Sequence, residues 1–246
     1  MQRQMMTAAA LAIGMMVTGQ VMASPCTDRE HGSDSTGWGS FGAVHPNGGG
    51  WVAHKCIRWT QSHDNPNEMI CALGSNLVPE SVYVGPNSAV CSWTATVSGN
   101  VALHNSIVWQ GQISGNAVIR NSVISRHFGG GRPTISGNAR IINTFINGGT
   151  ISGNAKVLDG AAVTESAHVH GSAKVAGEGT RVFGNAEVYG TAVVRNGAWI
   201  FGNAKINSGR YTNNAQINTD QTGTALDAGG LLSNPVREEN TETESN

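Results

Sequence analysis

The chain is 246 residues long, carries a formal net charge of −1 and is only 13% charged. That balance argues against a nucleic-acid partner, because such binding rests on clustered Lys and Arg neutralising phosphates. Its 33 glycines point to frequent tight turning rather than to helices.

The opening stretch, MQRQMMTAAALAIGMMVTGQVMASPC, has one positive charge at Arg3, then an apolar run, then small residues. Val21 and Ala23 suit a signal-peptidase cut after Ala23, so residues 1–23 read as a signal peptide and the mature chain as secreted or periplasmic. Lipid anchoring through Cys26 fits less well, since Pro25 stands where a small residue is wanted. No later segment is apolar enough to span a bilayer, so no membrane span is expected after signal removal.

Residues 24–81 are rich in glycine and weakly patterned. The four cysteines, Cys26, Cys56, Cys71 and Cys91, all follow the signal and precede the main repeats. After export they predict two disulfides stapling a small N-terminal cap, with all three pairings open. A zinc site using His45, His54 or His63 is the rival reading, but no cysteine pair has the close spacing such sites favour.

From residue 82 to 218 a short unit returns: VSGNVAL at 97, ISGNAVI at 113, ISGNARI at 135, ISGNAKV at 151 and IFGNAKI at 200. The large apolar positions step mostly by six residues, sometimes five, with sevens at 90–97 and 175–182. Helical faces need spacings of three and four, so the step means a short strand, a turn, and a strand on a new side. Three sides close one coil of 16–18 residues. Large β-branched residues point inward, and small ones such as Ala117, Ala139 and Ala155 stand two positions earlier. Gly-Asn suits the corners, where the chain needs left-handed backbone. Coils at 97–112 and 135–150 run six, five and five, which predicts trimmed corners. A single coil cannot bury its apolar side chains, so the expected structure is a triangular stack of coils.

Three outward rows follow. Ser98, Ser114, Ser136 and Ser152 stack beside Asn100, Asn116, Asn138 and Asn154, while Asn105, Asn121, Asn143, Asp159 and Asn196 recur at another corner. Such Asn rows are expected to bond the backbone of the neighbouring coil. Thr is too sporadic for the regular rows of an ice-binding face. The insertion SRHFGGGRPT at 125–134 should project as a loop, a common place for function on a rigid scaffold.

VYVGPNSAV at 82–90 and the GNA units resemble the hexapeptide-repeat proteins, which implies a left-handed parallel β-helix. HPNGGGWVA at 45–53, followed by VYVGPNSAV and the serial SGNA and FGNA units, resembles bacterial repeat proteins of largely undefined function. The hexapeptide family includes acyltransferases with a His general base. By that resemblance His127 and His170 are the catalytic candidates, with His168 beside them. The fold's carbonic-anhydrase-like branch would need three zinc-binding His, and only His168 and His170 alternate on a strand. No cofactor or metal is expected.

Phe183 and Phe201 lie eighteen residues apart and should stack outward, with Arg181 and Trp199 beside them. Aromatics clustered with Arg suit a carbohydrate or protein surface. Residues 219–246, ending REENTETESN, read as an acidic, disordered tail. The leading reading is an exported, non-enzymatic repeat scaffold binding a cell-envelope polysaccharide or protein, compatible with a homo-oligomer. The alternative is an acyltransferase-like enzyme.

Overall fold

The computed structural model describes residues 42–53, 56–61, 69–73, 78–92, 95–126, 131–218 and 231–232. The signal segment, Cys26, His54, His63, His127 and most of the tail lie outside the described residues, as do the side chains of Cys56 and Cys71.

The repeat region is an all-β parallel solenoid of about seven turns. Each turn places one strand in each of three hydrogen-bonded ladders. The first ladder stacks Ala102–His104, Val118–Arg120, Arg140–Ile142, Lys156–Leu158, Lys174–Ala176, Val193–Arg195 and Arg210–Tyr211 above Tyr83–Val84. The second stacks strands centred on Val108, Ile124, Ile146, Val163, Val182, Ile200 and Ile217. The third stacks those centred on Val97, Ile113, Ile135, Ile151, Val169, Val188 and Ile206. Phe145–Ile151 and Ala162–Val169 each run through a corner, joining the second and third ladders into one sheet.

Every inward position expected from the walk is closed to solvent. Leu103, Ile119, Ile141, Val157, Val175 and Val194 are all 0% exposed, as are Ala117, Ala139, Ala155 and Ala173. The alternation is therefore real: large residues meet along the axis, and alanines fill the space where the chain bends inward.

Coil length changes at the corners. Between the first and second ladders, Asn105-Ser106, Asn121-Ser122 and Asn143-Thr144 need two residues, Asp159-Gly160-Ala161 three, and Gly177–Thr180 four. The four-residue corner lengthens its coil to 19 residues, from Val175 to Val194, one beyond the expected range. In the two-residue corners a hydroxyl replaces the alanine. Ser106 N donates to Ser88 Oγ at 3.2 Å, Ser122 N to Ser106 Oγ at 3.2 Å, and Thr144 N to Ser122 Oγ at 3.1 Å. Ser106 and Ser122 Oγ each donate onward to a carbonyl of their own coil at 2.7 Å. A shortened turn leaves an amide without a carbonyl above it, and the hydroxyl answers it.

Between the third and first ladders, Gly99, Gly115, Gly137, Gly153 and Gly171 stack with φ between 67° and 78°. A Cβ on Gly137 would lie 2.8 Å from the Gly153 carbonyl oxygen and 2.9 Å from its nitrogen. Backbone meets backbone there, so glycine is required twice over. The Asn residues beside this column bond one another rather than the next coil's backbone. Asn100, Asn116 and Asn138 each donate from Nδ2 to the Oδ1 of the Asn one coil on, at 3.2, 3.0 and 2.9 Å. An amide side chain both donates and accepts, so an in-register row satisfies itself.

At the N-terminal end, Gly42–Val44 pairs antiparallel with Trp51–Ala53, whose Trp51 and Val52 pair in parallel with Ala89 and Val90. This hairpin is thus continuous with the second ladder. His45 is 1% exposed: Nδ1 accepts the Asn47 amide at 3.3 Å, and Nε2 donates to Val78 O at 3.2 Å. One ring nitrogen is tied to its own turn and the other to Val78, so His45 braces the turn against a segment 33 residues away. Cys56–Gln61 and Met69–Leu73 form a separate antiparallel pair. Cys91 is buried in a cluster with Trp51 and Ala89. At the other end, Leu231–Leu232, within the stretch expected to be a tail, pairs in parallel with Gln216–Ile217.

Gly137→Ala is expected to lower unfolding stability by about 2 kcal/mol, because an L side chain is strained at that φ and strikes Gly153. Ser136→Ala, one residue away, should stay within about 0.5 kcal/mol in the same denaturant titration. Ser122→Ala should cost about 1–3 kcal/mol, since it orphans the buried Thr144 amide.

Candidate functional site

The edge between the second and third ladders carries the aromatic cluster. Arg181 and Trp199 are register partners on the second ladder, and Phe183 and Phe201 follow two residues later where the chain turns. Phe183 stacks on Phe201 with ring centroids 5.2 Å apart and an interplanar angle of 8°. Trp199 meets Phe183 edge-on at 6.2 Å, and the Arg181 guanidinium carbon lies 5.5 Å from the Trp199 ring centre. All four expected binding residues are therefore in one patch, the three aromatics partly exposed and Arg181 exposed. The stacking follows from register. Phe183 N and Phe201 N donate to Ile200 O and Ile217 O in successive coils, which sets the rings one above the other.

Trp199 is locked further by its indole N–H, which donates to Gly179 O at 2.9 Å. Trp199 and Gly179 both border an open groove of about 420 Å³, lined also by Glu178, Arg181, Asn196 and Gln216. The groove was not legible in the sequence, because its walls come from the long corner at 177–180 and from two further coils. The insertion at 125–134 leaves and re-enters the solenoid on the same edge as Phe183 and Phe201, with Pro133 O accepting the Gln112 amide at 2.8 Å.

The histidines behave differently. His168 and His170 flank inward Val169 on the third ladder and both face outward. His170 Nε2 donates to Glu187 Oε1 at 2.8 Å, and Lys205 Nζ stands 3.5 Å from the other carboxylate oxygen. The His170 ring lies flat on Tyr189 at 5.2 Å. These bonds hold Glu187 below its ordinary value of 4.5, the His170 hydrogen bond contributing most. Glu187 and Tyr189 become visible as partners only when the 19-residue coil is aligned correctly. No group of three or more His, Cys, Asp or Glu able to hold a metal occurs among the described residues.

The outward third ladder is hydroxyl-rich. Thr96, Gln112, Thr134 and Thr150 fall in one column, so threonines that look scattered in sequence are aligned in space.

Comparison with protein-family models, curated proteins and solved structures returns no match for the chain. What it is must be argued from its own geometry: a parallel β-solenoid repeat protein.

Because the folded carboxyl of Glu187 is depressed, its contribution to stability is present above about pH 4.5 and is lost as pH falls through its folded value. The stability gap between the parent and Glu187→Gln should therefore be widest near neutrality and shrink in acid. Thermal melts across pH 3–7 check this, and a gap that widens in acid would refute it.

Proposed function

We propose that the protein is an exported, non-enzymatic scaffold that binds a cell-surface polymer or protein through Arg181, Phe183, Trp199 and Phe201. The observation that carries this reading is the stacked Phe183–Phe201 pair joined to a Trp–Arg contact beside an open groove. Rigid rings cost little conformational entropy on binding, and a fixed ladder spends none on arranging them. Stacked aromatic faces suit the C–H faces of sugars or apolar side chains, while the groove's amide and carboxylate groups suit hydroxyls.

In this reading the solenoid is a left-handed, three-sided β-helix of the hexapeptide type. Three ladders per turn, and corners built on positive-φ Gly and Asn, support the three-sided form. Export is supported by the signal-like opening, and two disulfides in the cap by four cysteines placed after it. The exported chain, denatured without reductant, should then show no free thiol by dye titration; four reactive thiols would overturn the stapled cap.

Acyl transfer stands as the second reading because Glu187 orients the His170 ring, as a general base requires. In that role Nε2 is spent on Glu187, so Nδ1 would have to take the acceptor's proton. Acetyl transfer by the purified protein that vanishes in His170→Gln would replace the scaffold reading.

Phe183→Ala combined with Phe201→Ala should weaken retention on envelope glycan or protein fractions by about 10- to 100-fold, the loss typical of two central aromatic anchors. Circular dichroism should stay unchanged, since neither ring is in the core. Unaltered retention on every fraction that holds the parent protein would remove this patch as the site.

A further inference from the structure

The near-neutral net charge conceals a segregated one. Six of the chain's 15 Lys and Arg residues stand on the outward side of the first ladder: Arg120, Arg140, Lys156, Lys174, Arg195 and Arg210. No Asp or Glu occupies any strand of that ladder. Asp159 and Glu178 lie at the corner that follows it, and neither pairs with these cations.

Arg140, Lys156 and Lys174 are direct register partners in three successive coils. Adjacent strands in a ladder are about 4.8 Å apart, and like charges directly opposite one another are destabilising. The scaffold does not relieve this. The six cations make no ion pair with any described residue, and the Nε of Arg195 is buried without a hydrogen-bond partner. A row of like charges maintained against its own repulsion implies a counter-charge supplied from outside.

Beside each cation in these coils stands an aliphatic side chain: Ile142 next to Arg140, Leu158 next to Lys156, and Ala176 next to Lys174. The Arg140 and Lys156 coils thus each offer one cation and one half-buried apolar side chain, while Ala176 is buried and the next coil offers the Lys174 cation alone. Among the described residues, the rings on this outward side are Tyr83 and His104 at its N-terminal end, with centroids 4.9 Å apart. Single-stranded nucleic acids are held by basic grooves combined with aromatic stacking platforms, which the Arg140–Lys174 stretch lacks. A chain of acidic sugars matches it better, with a carboxylate on one edge of each ring and C–H groups on its face.

We propose that the first ladder binds a linear polyuronate laid along the solenoid axis. Its carboxylates lie over the Arg140, Lys156 and Lys174 column and its sugar faces over Ile142 and Leu158. This adds a second ligand to the scaffold reading, on a different face from the aromatic patch that holds the first, so either can fail alone. Many weak contacts in series supply the affinity, because each exposed pair contributes little by itself.

Polygalacturonate titrated into the full chain is the test, with neutral dextran, inorganic polyphosphate and single-stranded DNA as comparison polymers. The parent protein should bind polygalacturonate, weaken with added salt, and ignore dextran. Lys156→Gln with Lys174→Gln should bind about tenfold more weakly, while Phe183→Ala with Phe201→Ala should bind like the parent. Lys156→Glu separates function from folding: it places a carboxylate between Arg140 and Lys174, so the melting temperature should rise as polyuronate binding falls. Equal binding by the double Lys variant, tighter binding of polyphosphate or DNA, or loss of polygalacturonate binding only in the Phe variant would each overturn the proposal.

Discussion

Every coil is bonded in parallel and in register to the next, and the rest of the molecule depends on that constraint. A parallel in-register ladder sets each residue directly above the equivalent residue one coil away. Inward, this stacks Leu103, Ile119, Ile141 and Val157 into a continuous dry column. At the corners it stacks glycine on glycine until the backbones touch, and asparagine on asparagine until the amides bond one another. Outside, it turns isolated side chains into rows: a Phe pair, a hydroxyl column and a column of cations.

Rows of identical residues are not equal in energy. Apolar rows gain from burial and amide rows from reciprocal hydrogen bonds, whereas a cation row gains nothing from its neighbours. The Phe183–Phe201 stack resembles the apolar case, since each ring covers the other and both remain partly exposed. The Arg140–Lys156–Lys174 column has no such internal return. Surfaces that help the fold and surfaces that burden it can therefore be told apart on one ladder system.

The core was legible in the sequence because its signal is strong and local: β-branched residues about six apart, with alanine two before. Trimmed corners were legible too, as five-residue steps. The outward Asn residues were placed correctly, but their partners were not, because a self-satisfying amide row looks the same in sequence as one bonding backbone. The hydroxyl at Ser106 and Ser122 was less visible still, since serine reads simply as a small residue until the two-residue turn reveals the amide it serves. Long-range placement was hardest. Successive coils along the first ladder are offset by 16, 22, 16, 18, 19 and 17 residues, so no single period brings Arg140, Lys156 and Lys174 together. Phe183 and Phe201 were found because their own offset is 18.

The three corners also differ in how much change of length they admit. The glycine column between the third and first ladders keeps almost the same four-residue turn from Ser98 to Val101 through Ser152 to Ala155. Its neighbour varies from two to four residues, and the remaining edge accommodates the whole 125–134 insertion. One edge thus acts as a spine on which coils can be added or removed as whole modules, while the other two are free to diversify without disturbing the stack. Grafted peptides should be accepted at the insertion edge and rejected along the spine, which makes the molecule a natural display frame with one fixed seam.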